Sequence, residues 1–141
     1  MKKISPDIFR LPANVLLFLG CLDLLRGFMH TFNLTWSATN VAKLDLSTGS
    51  ADAIFLLGVF GISNWLTGFL YILISRKARE LSPYVLGLIP ATYLFALIGI
   101  WSNGVRGQAA FEGQYFMFAY FGVCIVTCIT FLIQKYVRHR K

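Results

Sequence analysis

Apolar positions fill four long stretches of the chain, and each stretch carries one stripe of small or polar residues. The stretches run over residues 11–32, 53–75, 83–102 and 115–134. A helix of roughly 20 apolar residues crosses the hydrocarbon core of a bilayer, which is about 30 Å thick. The pattern therefore predicts an all-α fold, an integral membrane four-helix bundle forming a single domain over residues 1–141. Boundary signals agree with the stretches. Ser82-Pro83 predicts a capping hydroxyl ahead of a proline at the first helical position. Ser50 and Asp52 predict a cap and a first-turn acid for the second span. Ser5-Pro6-Asp7 predicts a further helix start, of a short segment before Pro12.

The stripes follow the helical period of about 100° per residue. In span one, Asp23, Arg26 and His30 share a side with Gly20 and Gly27, and Phe18, Leu22, Leu25 and Phe28 lie opposite. In span two, Gly61, Asn64, Thr67, Gly68 and Tyr71 share an arc, and Val59, Ile62, Leu66, Phe69 and Leu70 fall outside it. Span three offers Thr92, Ala96, Gly99 and Asn103, with Gly87 and Ala91 as a small-xxx-small pair and Pro90 as a kink. Span four offers Tyr120, Cys124 and Thr127. Turned inward, these four faces predict a bundle with a partly polar interior.

Composition strengthens the membrane reading. Of the 141 residues 57% are hydrophobic and 13% charged, against about 25% charged in an ordinary soluble domain. The net charge of +7 acts as a topology signal. Lys2, Lys3, Arg10, Arg76, Lys77, Arg79, Lys135, Arg138, Arg140 and Lys141 fall on one side of four spans, and Lys43 and Arg106 on the other. The positive-inside rule then predicts both termini in the cytoplasm, in a multi-pass protein of a bacterial inner (plasma) membrane. No basic face interleaved with aromatic residues exists to hold nucleic acid. Lys2-Lys3 and Gly20-Cys21 have the look of a lipoprotein signal, but the apolar run continues to Phe32, too long for a signal h-region.

Charged side chains near the middle of a span cost about 2.5–3.5 kcal/mol on insertion scales, so their presence asks for a reason. The candidate ligand-binding cluster is Asp23, Arg26, His30, Asn64, Thr67, Tyr71 and Tyr120, placed in the outer half of the bundle with Arg106 and Glu112 just above it. A competing reading pairs Asp23 with Arg26 and uses Asn64 and Tyr71 to satisfy them, as a network that only joins helices. Cys21, Cys124 and Cys128 lack metal-site spacing and read as packing residues. His139 lies in the basic tail, on the opposite side from His30, and no metal or other cofactor is expected.

Three function classes fit these residues. One is a non-enzymatic accessory subunit, or a binder of a small amphiphile in an outward-facing polar pocket. A second is a membrane-embedded enzyme on a lipid, quinone or sterol-like substrate, with Asp23 or His30 as acid or base and Arg26 on an oxygen. An oligomeric small-solute transporter is a third. Expected partners are membrane lipids, a lipid-like small molecule, and a second copy of the chain or a larger membrane complex. In its short chain, basic tail, longer first external loop and glycine-bearing helices, the plan resembles the small four-span bacterial membrane proteins of the DoxX-like type. That resemblance implies a respiratory or redox accessory role.

Overall fold

A computed structural model describes residues 6–41, 43, 50–104 and 113–140. Among them are five α-helices: α1 (Arg10–Phe32), the single turn α2 (Leu34–Trp36), α3 (Ser50–Lys77), α4 (Ser82–Ser102) and α5 (Gly113–Arg140). A 3-10 turn, Pro6–Phe9, leads into α1, a π turn, Ser37–Val41, follows α2, and a second 3-10 turn, Arg79–Leu81, joins α3 to α4. Four of these helices are long and apolar enough to cross a membrane. The fourth stretch continues well past Gln134, as far as Arg140.

The helices associate as two pairs. The tighter pair is α1 with α3, and the looser is α4 with α5. Glycine explains the first. A Cβ built on Gly20 would lie 2.9 Å from the Gly68 carbonyl oxygen, and one on Gly68 would lie 2.9 Å from the Gly20 carbonyl oxygen. A Cβ on Gly61 would meet the His30 backbone at the same distance. The backbones are thus within reach of each other, which is how small residues join helices where lipid removes the hydrophobic drive.

The two pairs meet through α1. A buried cluster of Leu16 and Leu19 from α1, Leu86 and Ile89 from α4 and Cys124 from α5 joins them. Beneath it, Ile8 is buried and the rings of Phe9 and Phe131 sit 5.6 Å apart. These contacts bring the start of α1, the α3–α4 turn and the C-terminal half of α5 to one end of the bundle. Arg10, Arg76, Lys77, Arg79, Lys135 and Arg138 all belong to that end. Lys2, Lys3, Arg106, Glu112 and Lys141 lie outside the described residues.

Two local expectations are corrected. Ser82 does not cap α4. The 3-10 turn runs straight into the helix, so the Ser82 N–H already donates to the Arg79 carbonyl, and the Ser82 hydroxyl is buried inside the first turn. The stripe Thr92, Ala96, Gly99 and Asn103 does not face the interior. All four are exposed, and a Cβ on Gly99 would meet nothing within 4 Å. The inward residues of α4 are instead Leu86, Ile89, Pro90 and Tyr93. The hydroxyl of Thr92 donates to the Leu88 carbonyl 2.9 Å away in its own helix, so its polarity needs no interior partner.

Candidate functional site

Above the Leu16–Leu86 cluster the two helix pairs separate, and a cavity of about 230 Å³ opens between them. The α1–α3 pair contributes Asp23, Arg26, Phe60, Asn64, Thr67 and Tyr71. The α4–α5 pair contributes Ile89, Tyr93, Met117, Tyr120 and Phe121. Asp23 lies seven residues beyond Leu16 on α1, roughly 10 Å along the axis, so it reaches the floor of the cavity just above the apolar cluster.

Asp23 organises the site, and its two oxygens differ. Oδ2 accepts a hydrogen bond from the Thr67 hydroxyl at 3.0 Å and one from the Tyr120 hydroxyl at 3.4 Å. Thr67 also lies within reach of the Ser63 and Asn64 carbonyls, at 3.1 and 3.2 Å, and its single proton is shared among three acceptors, with Asp23 the nearest. Oδ1 faces the Arg26 guanidinium at 3.5 Å, an ion pair that meets no hydrogen-bond geometry. Arg26 in turn lies over the Phe60 ring, 5.6 Å from its centroid. That contact holds the guanidinium at the rim, where its side chain stays one-third exposed.

Three buried polar atoms stand without hydrogen-bond partners among the described residues: the Ser82 Oγ at the start of α4, and the Asp23 Oδ1 and the Asn64 Nδ2, whose residues both line this cavity. Asp23 and Asn64 are each 95% buried. Leaving such a group unsatisfied costs about 1–3 kcal/mol.

No protein-family model, curated protein or solved structure matches the chain.

Of the seven residues singled out in the sequence, six line this cavity: Asp23, Arg26, Asn64, Thr67, Tyr71 and Tyr120. His30 does not. One turn further along α1, its Nδ1 is 2.8 Å from the Ser37 hydroxyl, its backbone packs against Gly61, and its ring lies 6.1 Å from that of Phe60. His30 thus ties the π turn after α2 onto the α1–α3 pair. The sequence reading missed Phe60, Tyr93, Met117 and Phe121, apolar or aromatic residues that make the walls. Helical spacing held a partial signal: Phe60 is four residues from Asn64, and Phe121 is next to Tyr120.

Among the described residues no group of three or more His, Cys, Asp or Glu side chains could hold a metal ion. The three cysteines are unpaired: Cys124 belongs to the apolar cluster, Cys128 donates to the Pro83 carbonyl at 3.3 Å, and Cys21 is exposed on α1.

Proposed function

We propose that this chain crosses a bacterial inner membrane four times, with both termini in the cytoplasm, and binds a small amphiphile in the cavity around Asp23. Four helices of sufficient length and mean hydropathy support the crossing. Ten basic residues against two support the orientation, and six of the ten meet at one end of the bundle. In that orientation the cavity lies in the outer half. Its walls are largely aromatic, and large residues such as Leu66, Phe95 and Val126 face outward into what would be lipid.

The observation that carries the ligand is the pair of unsatisfied buried atoms, the Asp23 Oδ1 and the Asn64 Nδ2. A network that served only to join helices would spend its polar groups on each other. Here the Asp23 Oδ2 is used in that way, while the Oδ1 and the Asn64 Nδ2 have no hydrogen-bond partner and belong to residues that line the space between the helix pairs. The role is that of a binding protein or an accessory subunit carrying a lipid-like molecule; the resemblance to DoxX-like proteins implies a respiratory or redox accessory role, which agrees with the second of these. An enzymatic role would have to rest on Asp23, because His30 is engaged by Ser37 outside the cavity.

The test is to purify the chain from a bacterial membrane and identify co-purifying small molecules by mass spectrometry. Binding predicts a stoichiometric amphiphile on the wild-type chain that is lost from Asp23→Asn and Asn64→Leu, both of which stay folded. The proposal fails if no amphiphile is found, Asp23→Asn and Arg26→Gln each lower the melting temperature, and the double variant recovers part of the loss.

A further inference from the structure

Beyond the existence of a ligand, the chemistry of the cavity limits which ligand fits, and this step rests on the pocket reading just given. We infer that the site takes an uncharged ring headgroup bearing a hydroxyl, with the hydroxyl donating to the Asp23 Oδ1 and accepting from the Asn64 Nδ2.

Charge is the first constraint. The aromatic walls and the Asp23 carboxyl would suit an organic cation, but the Arg26 guanidinium already stands 3.5 Å from the oxygen such a cation would need. An anion drawn to Arg26 would come up against the Asp23 carboxyl at the same place. The acidic and basic groups thus cancel within the site, and a ligand of either sign meets a like charge. An uncharged group meets none.

Hydrogen-bonding capacity is the second. Of the cavity-lining residues, Asp23 and Asn64 hold the fully buried polar atoms without partners, one acceptor and one donor. A hydroxyl answers both from a single atom, since it donates one proton and keeps lone pairs to accept. An ether could accept from Asn64 but would leave the Asp23 Oδ1 unmet. A site built to hydrogen-bond a hydroxyl discriminates sharply against an analogue that lacks it, because the buried partners are then stranded.

Shape is the third. Five rings surround the space: Phe60, Tyr71, Tyr93, Tyr120 and Phe121. The volume of about 230 Å³ is below the range of about 300–1,000 Å³ that holds a whole drug-sized ligand. A headgroup of one ring is therefore enclosed. An alkyl tail would leave between α3 and the α4–α5 pair, where those helices scarcely touch.

The experiment uses the full chain in phosphatidylcholine nanodiscs, with empty nanodiscs as the partitioning control. Isothermal titration compares 4-hexylphenol with its methyl ether, with 4-hexylbenzoate and with 4-hexylphenyltrimethylammonium. Saturable binding of the phenol at one site per chain is expected, with each of the other three at least about tenfold weaker. Asn64→Leu should weaken the phenol by a similar factor and weaken the ether as well, because both oxygens accept from the Asn64 Nδ2. The wild-type comparison stands alone if that variant does not fold. Equal binding of phenol and ether, or tighter binding of either charged probe, overturns the hydroxyl assignment and leaves the pocket reading in place. Saturable binding by none of the four overturns both.

Discussion

Alanine at Gly68 tests whether backbone contact between α1 and α3 holds the molecule together. In an isolated helix the change stabilises by about 0.8–1.0 kcal/mol, because alanine is the better helix former. Here the new methyl would lie 2.9 Å from the Gly20 carbonyl oxygen and 2.7 Å from Leu24 Cδ2. The leucine can rotate away, but the carbonyl belongs to a helix backbone and moves only if α1 moves. Overpacking of this kind costs about 1–3 kcal/mol, so the net effect at Gly68 is a loss of about 0–2 kcal/mol. Gly122 supplies the control, because a Cβ there meets nothing within 4 Å. Gly122→Ala keeps the helix-propensity gain, so the two variants should differ by about 1–3 kcal/mol, the steric term alone. Thermal unfolding of both variants in detergent, followed by tryptophan fluorescence, measures the difference. If Gly68→Ala melts at or above Gly122→Ala, the close approach of α1 and α3 is wrong, and the floor of the cavity is wrong with it.

Other consequences can be checked separately. Asp23→Asn keeps an oxygen for the Thr67 hydroxyl and loses only the ion pair with a one-third-exposed Arg26; it should cost at most about 1 kcal/mol in denaturant titration, the range of such pairs. Ser37→Ala removes the partner of His30, which lies outside the cavity, so alkylphenol binding should be unchanged by titration calorimetry while proteolysis near the π turn increases. Gly99→Leu places a side chain in open space and should leave the melting temperature within about 0.5 kcal/mol equivalent of wild type; a large loss would return the Thr92–Asn103 stripe to the interior. A reporter enzyme fused after Lys141 should be active only in its cytoplasmic form, and activity only outside would overturn the orientation.

What the sequence made legible depended on how strongly each helix is asymmetric. In α3 every polar or small position of the arc that includes Gly61 and Asn64 turns inward and every apolar position opposite turns outward. The reason is energetic: Asn64 and the backbone contacts at Gly61 and Gly68 have no comparable alternative on the other face. In α4 the same logic misled. Thr92 satisfies its hydroxyl within its own helix, and alanine and glycine are tolerated against either lipid or protein, so their stripe carries no directional cost. The larger Leu86 and Ile89 decided the inward face by filling the space beside Leu16 and Leu19. His30 shows the matching limit within one helix. Its angle on α1 agrees with that of Asp23, yet helical spacing says nothing of depth relative to a neighbouring turn, and Ser37 follows closely enough in the chain to fold back and take its Nδ1. Angular position is set by the residue's own helix and can be read from periodicity, whereas partnership is set by what the next segment brings within 3 Å. For that reason the charged core of the site, Asp23 with Arg26, was visible in one helix alone, and the aromatic walls contributed by α4 and α5 were not.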